Sequence, residues 1–549
     1  MISCSVNAQK VIIPEVEKVN FFTDRSTYIT GEDICFSAFI FQEGYLPALS
    51  SVLYVQVISA EGSSFSAGKF EINNFQSSGK LTIPEDLITG IYYIRAYTKY
   101  MRNAGPASYA VLALKIINPK RNEVLPGKDT LKTTDAFLTN EISDKIQIKT
   151  DKVTVFPGED IITTVTYGLM SKENISGLNV TVAPAEASKI IGNSLSGSVR
   201  RIDKLQYMPE VYGITVSGLV TKDNKPVKDV NVNLSLIEKY HDFQSELTDS
   251  TGRFLFLLPM LNDLADLYIG LNDQKDDIPY RLLVDNEYCT LPVNLPQPVF
   301  SLTENERTQA LKMAINEEIN SIYHAEPLPI STETTDDIKH PFYGKPVFVL
   351  YLKDYVQLPT LEEYFNELPG YVKVRKREGK KYFKIFGTQP EMENYDPLIL
   401  VDGVYIDDPE KILEAAPVNI DRIEMINVPY LKGDMLFGGI ISIISKKGDL
   451  AGIDLPSSGF FVSYHFLNSD FCAPDKYIPQ PDTPDSRNTV FFAPFLTLNS
   501  DNTSTFQFKA PATPGIYSIV LNGVSKHGTV FGKKFNFEVV NKNSGSPIP

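Results

Sequence analysis

The sequence predicts a mainly β protein, with tandem β-sandwiches and a small α+β domain inserted into the second of them. Three observations carry this reading. Tyr (28), Phe (32) and Pro (36) are plentiful and Trp is absent, which suits β-rich modules joined by Pro-marked turns. A strand–turn–strand pattern occurs twice in the chain. Its second occurrence lacks the downstream half that follows the first, and a matching half stands near the C-terminus.

The repeat reads TDRSTYITGEDICF at 23–36 and TDKVTVFPGEDIIT at 150–163. Each copy predicts a strand, a tight turn at Gly31 or Gly158, and a second alternating strand. Glycine supplies the positive φ that such turns need. LYVQVISAEG (53–62) then parallels LNVTVAPAEA (178–187), with apolar residues at every second position. After the first copy comes GKLTIPEDLITGIYYIRAYT (79–98). Its counterpart is TFQFKAPATPGIYSIVLNGV (505–524), where Gly515-Ile516-Tyr517 parallels Gly90-Ile91-Tyr92. Half a sandwich cannot bury both faces, so 146–190 and 487–540 are expected to meet in one domain with everything between inserted. The alternative is two separate small β-domains.

This repeat resembles the macroglobulin-like domains of the alpha-2-macroglobulin family, which are immunoglobulin-like β-sandwiches. The resemblance covers the first copy, 11–118, and the two halves of the second. The family's reactive Cys-Gly-Glu-Gln thioester is missing: the four cysteines begin CSVN, CFSA, CTLP and CAPD. A covalent protease trap is therefore not expected.

Within the insertion, YGITVSGLVTKDNKPVKDVNVNLSLIEKY (212–240) and SELTDSTGRFLFLLP (245–259) place alternating strands around turn signals at Asp223-Asn224 and Asp249–Gly252. Gly218, Pro226, Val230 and the TDSTGRFLF strand resemble the carboxypeptidase regulatory-like domain, a non-catalytic β-sandwich assigned to 211–295. Residues 300–325 predict a helix inside a linker at 300–344. Thr303 and Glu306 form its capping box, and Leu311, Ala314, Ile315, Ile319 and Ile322 recur near helical spacing. His324 is expected at the helix end as a favourable partner of the dipole rather than as a ligand.

Residues 345–452 carry the most specific pattern. PTLEEYFNELPGYVKVRKREGKKYFKIFG (359–387) predicts a short helix and two strands. YDPLILVDGVYIDDPEKILEAAPVNIDRIEMINVP (395–429) predicts strand, turn, strand, helix and strand, and LKGDMLFGGIISIISKKG (431–448) closes with an apolar strand. Pro369-Gly370, Pro397, Val401-Asp402-Gly403, NIDRIEMI, Lys432-Gly433 and GGIISIISKKG resemble the plug domain of TonB-dependent outer-membrane receptors, especially the Bacteroidota type. Two departures limit what the resemblance implies. The loop before Gly438-Gly439 is short, and no barrel of about 22 strands follows.

Composition narrows the function. The length of 549 residues corresponds to roughly three to five domains. The net charge of −15 and the lack of a phosphate-tracking basic face argue against nucleic acid. The basic run KVRKREGKK (373–381) reads as a hairpin turn with solvated Lys and Arg. Cys4, Cys35, Cys289 and Cys472 form no C-x-x-C pair, so zinc and thioredoxin-type spacing are missing. Cys35 is expected as a buried small hydrophobe. No run of 18 apolar residues exists to span a membrane as a helix.

Residues 1–10, MISCSVNAQK, read as a leader remnant. SVNAQ resembles the end of a secretory signal peptide, and MISC resembles a lipobox with Cys4 as the acylated residue. Cleavage near Ala8 ranks above lipidation of Cys4, and both place the protein outside the cytoplasm. Residues 541–549 are expected as a tail.

Five histidines (241, 324, 340, 465 and 527) show no H-E-x-x-H or similar pairing. Nucleophile elbows, P-loops and dinucleotide fingerprints are missing too, and GNSLSG (192–197) has the wrong spacing. The sharpest enzymatic candidate is Asp402 with Asp407 or Asp408. A hairpin turn at Asp402-Gly403 and a helix cap at Asp407-Asp408-Pro409 explain the same residues more simply. No catalytic, cofactor-binding or metal-ligating residue is assigned.

The expected function is that of a non-enzymatic interaction or scaffold protein of the cell envelope, at the outer membrane, periplasm or cell surface. It would dock on an outer-membrane barrel or a transport or assembly complex through its plug-like and sandwich modules. Membrane association would come through that partner or through a lipid anchor. The alternative is a surface protein that binds peptide or glycan, with any exposed tyrosines such as those of YYIRAYTKYM as its face, although core packing accounts for most of them.

Overall fold

The computed structural model describes residues 16–541 apart from 43–47, 129–145, 169–174, 189–201, 203–204, 238–241, 263, 273–279, 324–340, 369, 388, 390–391, 393, 433–434, 456–458, 470–471, 473–483 and 527. The fold is mainly β, with 49% strand against 12% helix, so its cores lie between sheets rather than between helices. The chain divides into two compact units. One is Met1–Gly213, Tyr288–Leu328 and Leu467–Pro549; the other is Ile214–Glu287 and Pro329–Phe466.

The first unit contains two eight-stranded sandwiches with the same topology. In the first, Glu17–Thr23, Asp33–Gln42 and Gln76–Thr82 form a three-stranded sheet. Thr27–Ile29, Ala110–Ile117, Gly90–Tyr97, Val52–Ile58 and Ser64–Glu71 form a five-stranded one. In the second, Ile146–Thr150, Asp160–Tyr167 and Thr503–Lys509 form the three-stranded sheet. Thr154–Val155, Val530–Val539, Gly515–Ser525, Ile175–Pro184 and Phe491–Ala493 follow the same order in the five-stranded sheet. Each five-stranded sheet even has its one parallel pair at the same place, Thr27–Ile29 on Ala110–Ile117 and Thr154–Val155 on Val530–Val539. Strands from 503–539 thus complete sheets begun by 146–184. Ile148, Val165 and Val180 share one core with Phe508, Ile519 and Phe537.

The repeated T-D-[RK]…G-E-D motif has the same job in both copies. Asp24 Oδ1 accepts from the Cys35 amide at 3.1 Å, and Asp151 Oδ1 accepts from the Ile162 amide at 2.9 Å. Glu32 accepts from the Ile29 amide at 2.6 Å, and Glu159 from the Phe156 amide at 3.2 Å. Arg25 bridges to Glu32 at 3.0 Å, and Lys152 to Glu159 at 3.4 Å. The carboxylates thereby satisfy backbone donors that the turn leaves exposed, while Gly31 (φ 94°) and Gly158 (φ 78°) supply the left-handed step. The copies differ in burial: the Arg25–Glu32 side chains are 4% and 5% exposed, the Lys152–Glu159 pair 44% and 35%.

Three expectations are corrected in this unit. Cys35 is not a lone buried hydrophobe: it is half-buried and forms a disulfide with Cys472. The helix Glu304–Tyr323 carries its expected capping box, with Thr303 N donating to Glu306 at 2.9 Å and Glu306 N to Thr303 Oγ1 at 3.2 Å. Its buried residues, however, are Ala310 and Met313; Met313 packs with Ile29 and Ala187, the expected Ala314 packs against them, and Leu311, Ile315 and Ile322 are exposed. The helix therefore packs through a narrow stripe of small and flexible residues, offset from the face that aliphatic spacing suggested. Residues 288–295 also leave the module assigned to 211–295. Val293 N and Leu295 N donate to Glu61 O and Ala60 O of the first sandwich, at 3.1 and 3.0 Å.

In the second unit, Ile214–Lys222 pairs with Arg253–Leu258 and Tyr280–Val284. Opposite lies a sheet of Asp242–Leu247, Asn231–Leu236, Leu264–Leu271 and Phe460–His465. The last strand comes from a segment that the sequence reading left unassigned. The α+β module follows, with a five-stranded sheet in the order Phe348–Tyr351, Ile420–Ile426, Ile440–Ser445, Leu398–Val401 and Val404–Tyr405. Leu398–Val401 runs parallel to Ile440–Ser445 and is buried throughout, which accounts for its unbroken apolar sequence. Ile399, Val401, Ile441 and Ile443 pack beneath Tyr364 and Phe365 of the helix Leu361–Glu367. Leu398, Leu400 and Ile440 pack on Phe243.

Candidate interaction surfaces

The Asp402 constellation is a turn and a cap. Asp402 (φ 47°) and Gly403 (φ 83°) link Val401 to Val404 in a two-residue hairpin with both φ positive. The Asp402 carboxylate accepts from Ser445 N at 2.7 Å, Ser445 Oγ at 2.7 Å and Leu450 N at 2.9 Å. It holds the end of Ile440–Ser445 and the start of the following segment. Asp408 caps the helix Pro409–Leu413 by accepting from Glu410 N at 2.9 Å, with Pro409 in its first turn. Asp402 and Asp408 therefore serve separate backbone tasks.

The other candidates from sequence are placed as follows. Cys4, His241, His324, His340 and His527 lie outside the described residues, and His465 is on the strand Phe460–His465. Among the described residues no group of three His, Cys, Asp or Glu side chains is arranged to hold a metal, and no helix is long and apolar enough to cross a membrane. The tyrosines proposed as a ligand-binding face are core residues: Tyr92, Tyr93, Tyr97 and Tyr100 are all buried. Tyr97 stacks between Tyr54 and Tyr109, and its hydroxyl accepts from the Cys289 amide at 2.7 Å. Burial pushes the Tyr97 hydroxyl well above the usual phenol range.

Two surface features were not foreseen. In Arg253–Leu258, Phe254, Phe256 and Leu258 fill the sandwich core while Leu255 and Leu257 face outward, 45% and 47% exposed. Leu283, on the other strand paired with Ile214–Lys222, is 53% exposed. A sheet with one solvated face normally alternates apolar and polar residues, and this one presents leucines on its outer side. The sequence signal was available in the unbroken FLFLL run, which suits burial on both faces.

The second feature is the basic hairpin, Val372–Arg377 paired with Lys380–Ile385. Its turn is Glu378-Gly379, again with both φ positive. Val372, Val374, Phe383 and Ile385 are buried on one face. Alternation puts Lys373, Arg375, Arg377, Lys380, Tyr382 and Lys384 on the other.

No protein-family model matches the chain, and no curated protein matches it. Solved structures similar to it include trypsin-activated alpha-2-macroglobulin from Escherichia coli, at 8% identity and a TM-score of 0.24 over 96% of this chain and 42% of that one. Salmonella alpha-2-macroglobulin reacted with methylamine gives 8% and 0.24 over 97% and 40%. Dimeric latent PorU from Porphyromonas gingivalis gives 11% and 0.15 over 50% and 34%. The chain thus spans about two fifths of the length of the macroglobulins it is similar to. At these scores no residue role passes from them to this chain.

Proposed function

We propose that the protein is a non-enzymatic interaction or scaffold protein of the cell envelope. It docks on an outer-membrane barrel, or on a transport or assembly complex, through its small sandwich and its plug-like α+β module. The observation that carries this reading is the leucine face of Leu255, Leu257 and Leu283. Half-exposed leucines on one sheet surface cost solvation in an isolated protein and are recovered by a partner that covers them. The Cys35–Cys472 disulfide supports an oxidising compartment outside the cytoplasm. The macroglobulin-like, carboxypeptidase regulatory-like and plug-like resemblances all belong to modules that hold or occlude other molecules, and they enter here as part of the proposal.

The test is affinity capture from a bacterial envelope extract with the full chain, beside L255S/L257S/L283S. Recovery of an outer-membrane β-barrel protein by the wild type, and its loss with the variant, is the expected result. Recovery of no membrane protein, or equal recovery by both, would falsify the reading.

A further inference from the structure

We propose that the outward face of the hairpin Val372–Arg377/Lys380–Ile385 is a docking surface for an extended acidic peptide segment with carboxylates at alternate positions. The proposal deepens the docking reading of this module and rests on it.

The hairpin is locally unfavourable as it stands. It carries seven cations and one carboxylate, Glu378, in a chain of net charge −15. Three of its six cross-strand pairs set cation against cation: Lys373 opposite Lys384, Lys376 opposite Lys381, and Arg377 opposite Lys380. Like charges directly opposite destabilise an antiparallel pair. Some of this is relieved internally. Lys381 bridges to Glu362 at 2.7 Å, Lys373 Nζ donates to Asn366 O, and the Arg377 guanidinium lies over the Tyr382 ring at 5.4 Å. Among the described residues no carboxylate pairs with Arg375, Lys376 or Lys380. The compensation is partial, and exposed cations left without a carboxylate are where an external anionic partner is expected.

The geometry selects the partner. Arg375 and Arg377 stand two residues apart, about 7 Å along the strand, which matches every second side chain of an extended peptide. One amide of each strand is already engaged by a side chain: Val374 N donates to Asn366 Oδ1 at 3.1 Å and Lys381 N to Glu410 Oε1 at 3.4 Å. Addition of a strand at the edge is thereby discouraged, and docking falls to the side chains of the face. Within its two strands the face has no exposed aliphatic anchor, and its one aromatic ring there, Tyr382, lies beneath Arg377; the partly exposed Tyr371 borders it. A bilayer surface, which rewards buried apolar area as well as charge, is the poorer match.

The experiment is fluorescence anisotropy on the full chain with a labelled peptide of alternating Glu and Ser, about twelve residues long. Wild type is expected to bind at about 20 mM NaCl and to weaken by about tenfold or more at about 300 mM. R375E/R377E/K380E should lose about tenfold or more in affinity with an unfolding midpoint close to that of wild type, because at positions 377 and 380 one like-charge pair is exchanged for another. K446E/K447E reverses two exposed cations elsewhere in the module and should bind as wild type. Three results overturn the proposal: undiminished binding by R375E/R377E/K380E, an equal loss with K446E/K447E, or binding of phosphatidylglycerol vesicles in preference to the peptide. Loss of peptide binding with envelope capture intact refutes this inference alone. Failed capture with peptide binding intact refutes the envelope reading alone.

Discussion

Cys35 and Cys472 are joined by a disulfide across 437 residues of sequence, with their Cα atoms 5.8 Å apart. The bond ties the central strand Asp33–Gln42 of the first three-stranded sheet to the segment through which the chain re-enters the first unit. A crosslink over so long a loop restricts the unfolded chain heavily. C35S/C472S is expected to lower the stability of the first unit by about 2–4 kcal/mol. Denaturant melts of wild type with reductant should coincide with those of the variant without it. Identical midpoints for oxidised and reduced wild type would show that the bond contributes nothing.

The two copies of the ionic turn give an internal comparison. Removing Arg25 leaves Asp24 and Glu32 buried without their cation, so R25M should cost about 3–5 kcal/mol. The equivalent K152M acts on a pair open to solvent and should cost less than about 1 kcal/mol. The readout is the denaturant midpoint of the first unit. Equal effects would mean that burial of the first copy is not what separates them.

Glu317 supplies a pH dependence. Burial and the neighbouring Glu32 push its carboxyl up to about 7, against the opposing effects of a hydrogen bond from Asn320 and the charge of Arg25; Asp33 adds to the rise. An acid whose folded pKa lies above its unfolded value binds its proton more tightly when folded. Its contribution is complete below the unfolded value, about 4.5, and is lost as pH rises through about 7. E317Q should therefore flatten the fall in thermal midpoint between about pH 4.5 and pH 7 and raise the midpoint at higher pH. An unchanged pH profile would remove Glu317 as its source.

The strand–turn–strand repeat and the interrupted second sandwich were legible in sequence because both rest on local signals: Gly31 and Gly158 at turns, period-2 apolar residues, and repeated acid positions. The Thr303–Glu306 capping box and the Asp408-Pro409 helix start were legible for the same reason. Cys35–Cys472 was not, since spacing says nothing of a partner more than 400 residues away. The contact face of Glu304–Tyr323 was read only in part: Ala314 packs as expected, but Met313 rather than Leu311, Ile315 or Ile322 anchors the contact. Leu255 and Leu257 escaped because FLFLL looks like any core strand until its neighbours are known.

Asp402 offers the sharpest contrast between a catalytic and an architectural acid. Its carboxylate takes three donors, Ser445 N, Ser445 Oγ and Leu450 N, and its backbone sits at φ 47°. Alanine removes all three acceptor contacts and must still adopt the left-handed conformation. D402A should cost the second unit about 2–4 kcal/mol, with partly buried donors left unsatisfied. Asparagine tolerates positive φ and retains one acceptor oxygen, so D402N should cost about 1 kcal/mol. Urea melts of the two variants check the order. A catalytic acid free of structural duty would give melts like wild type for both, and that result would return Asp402 to the list of reactive groups.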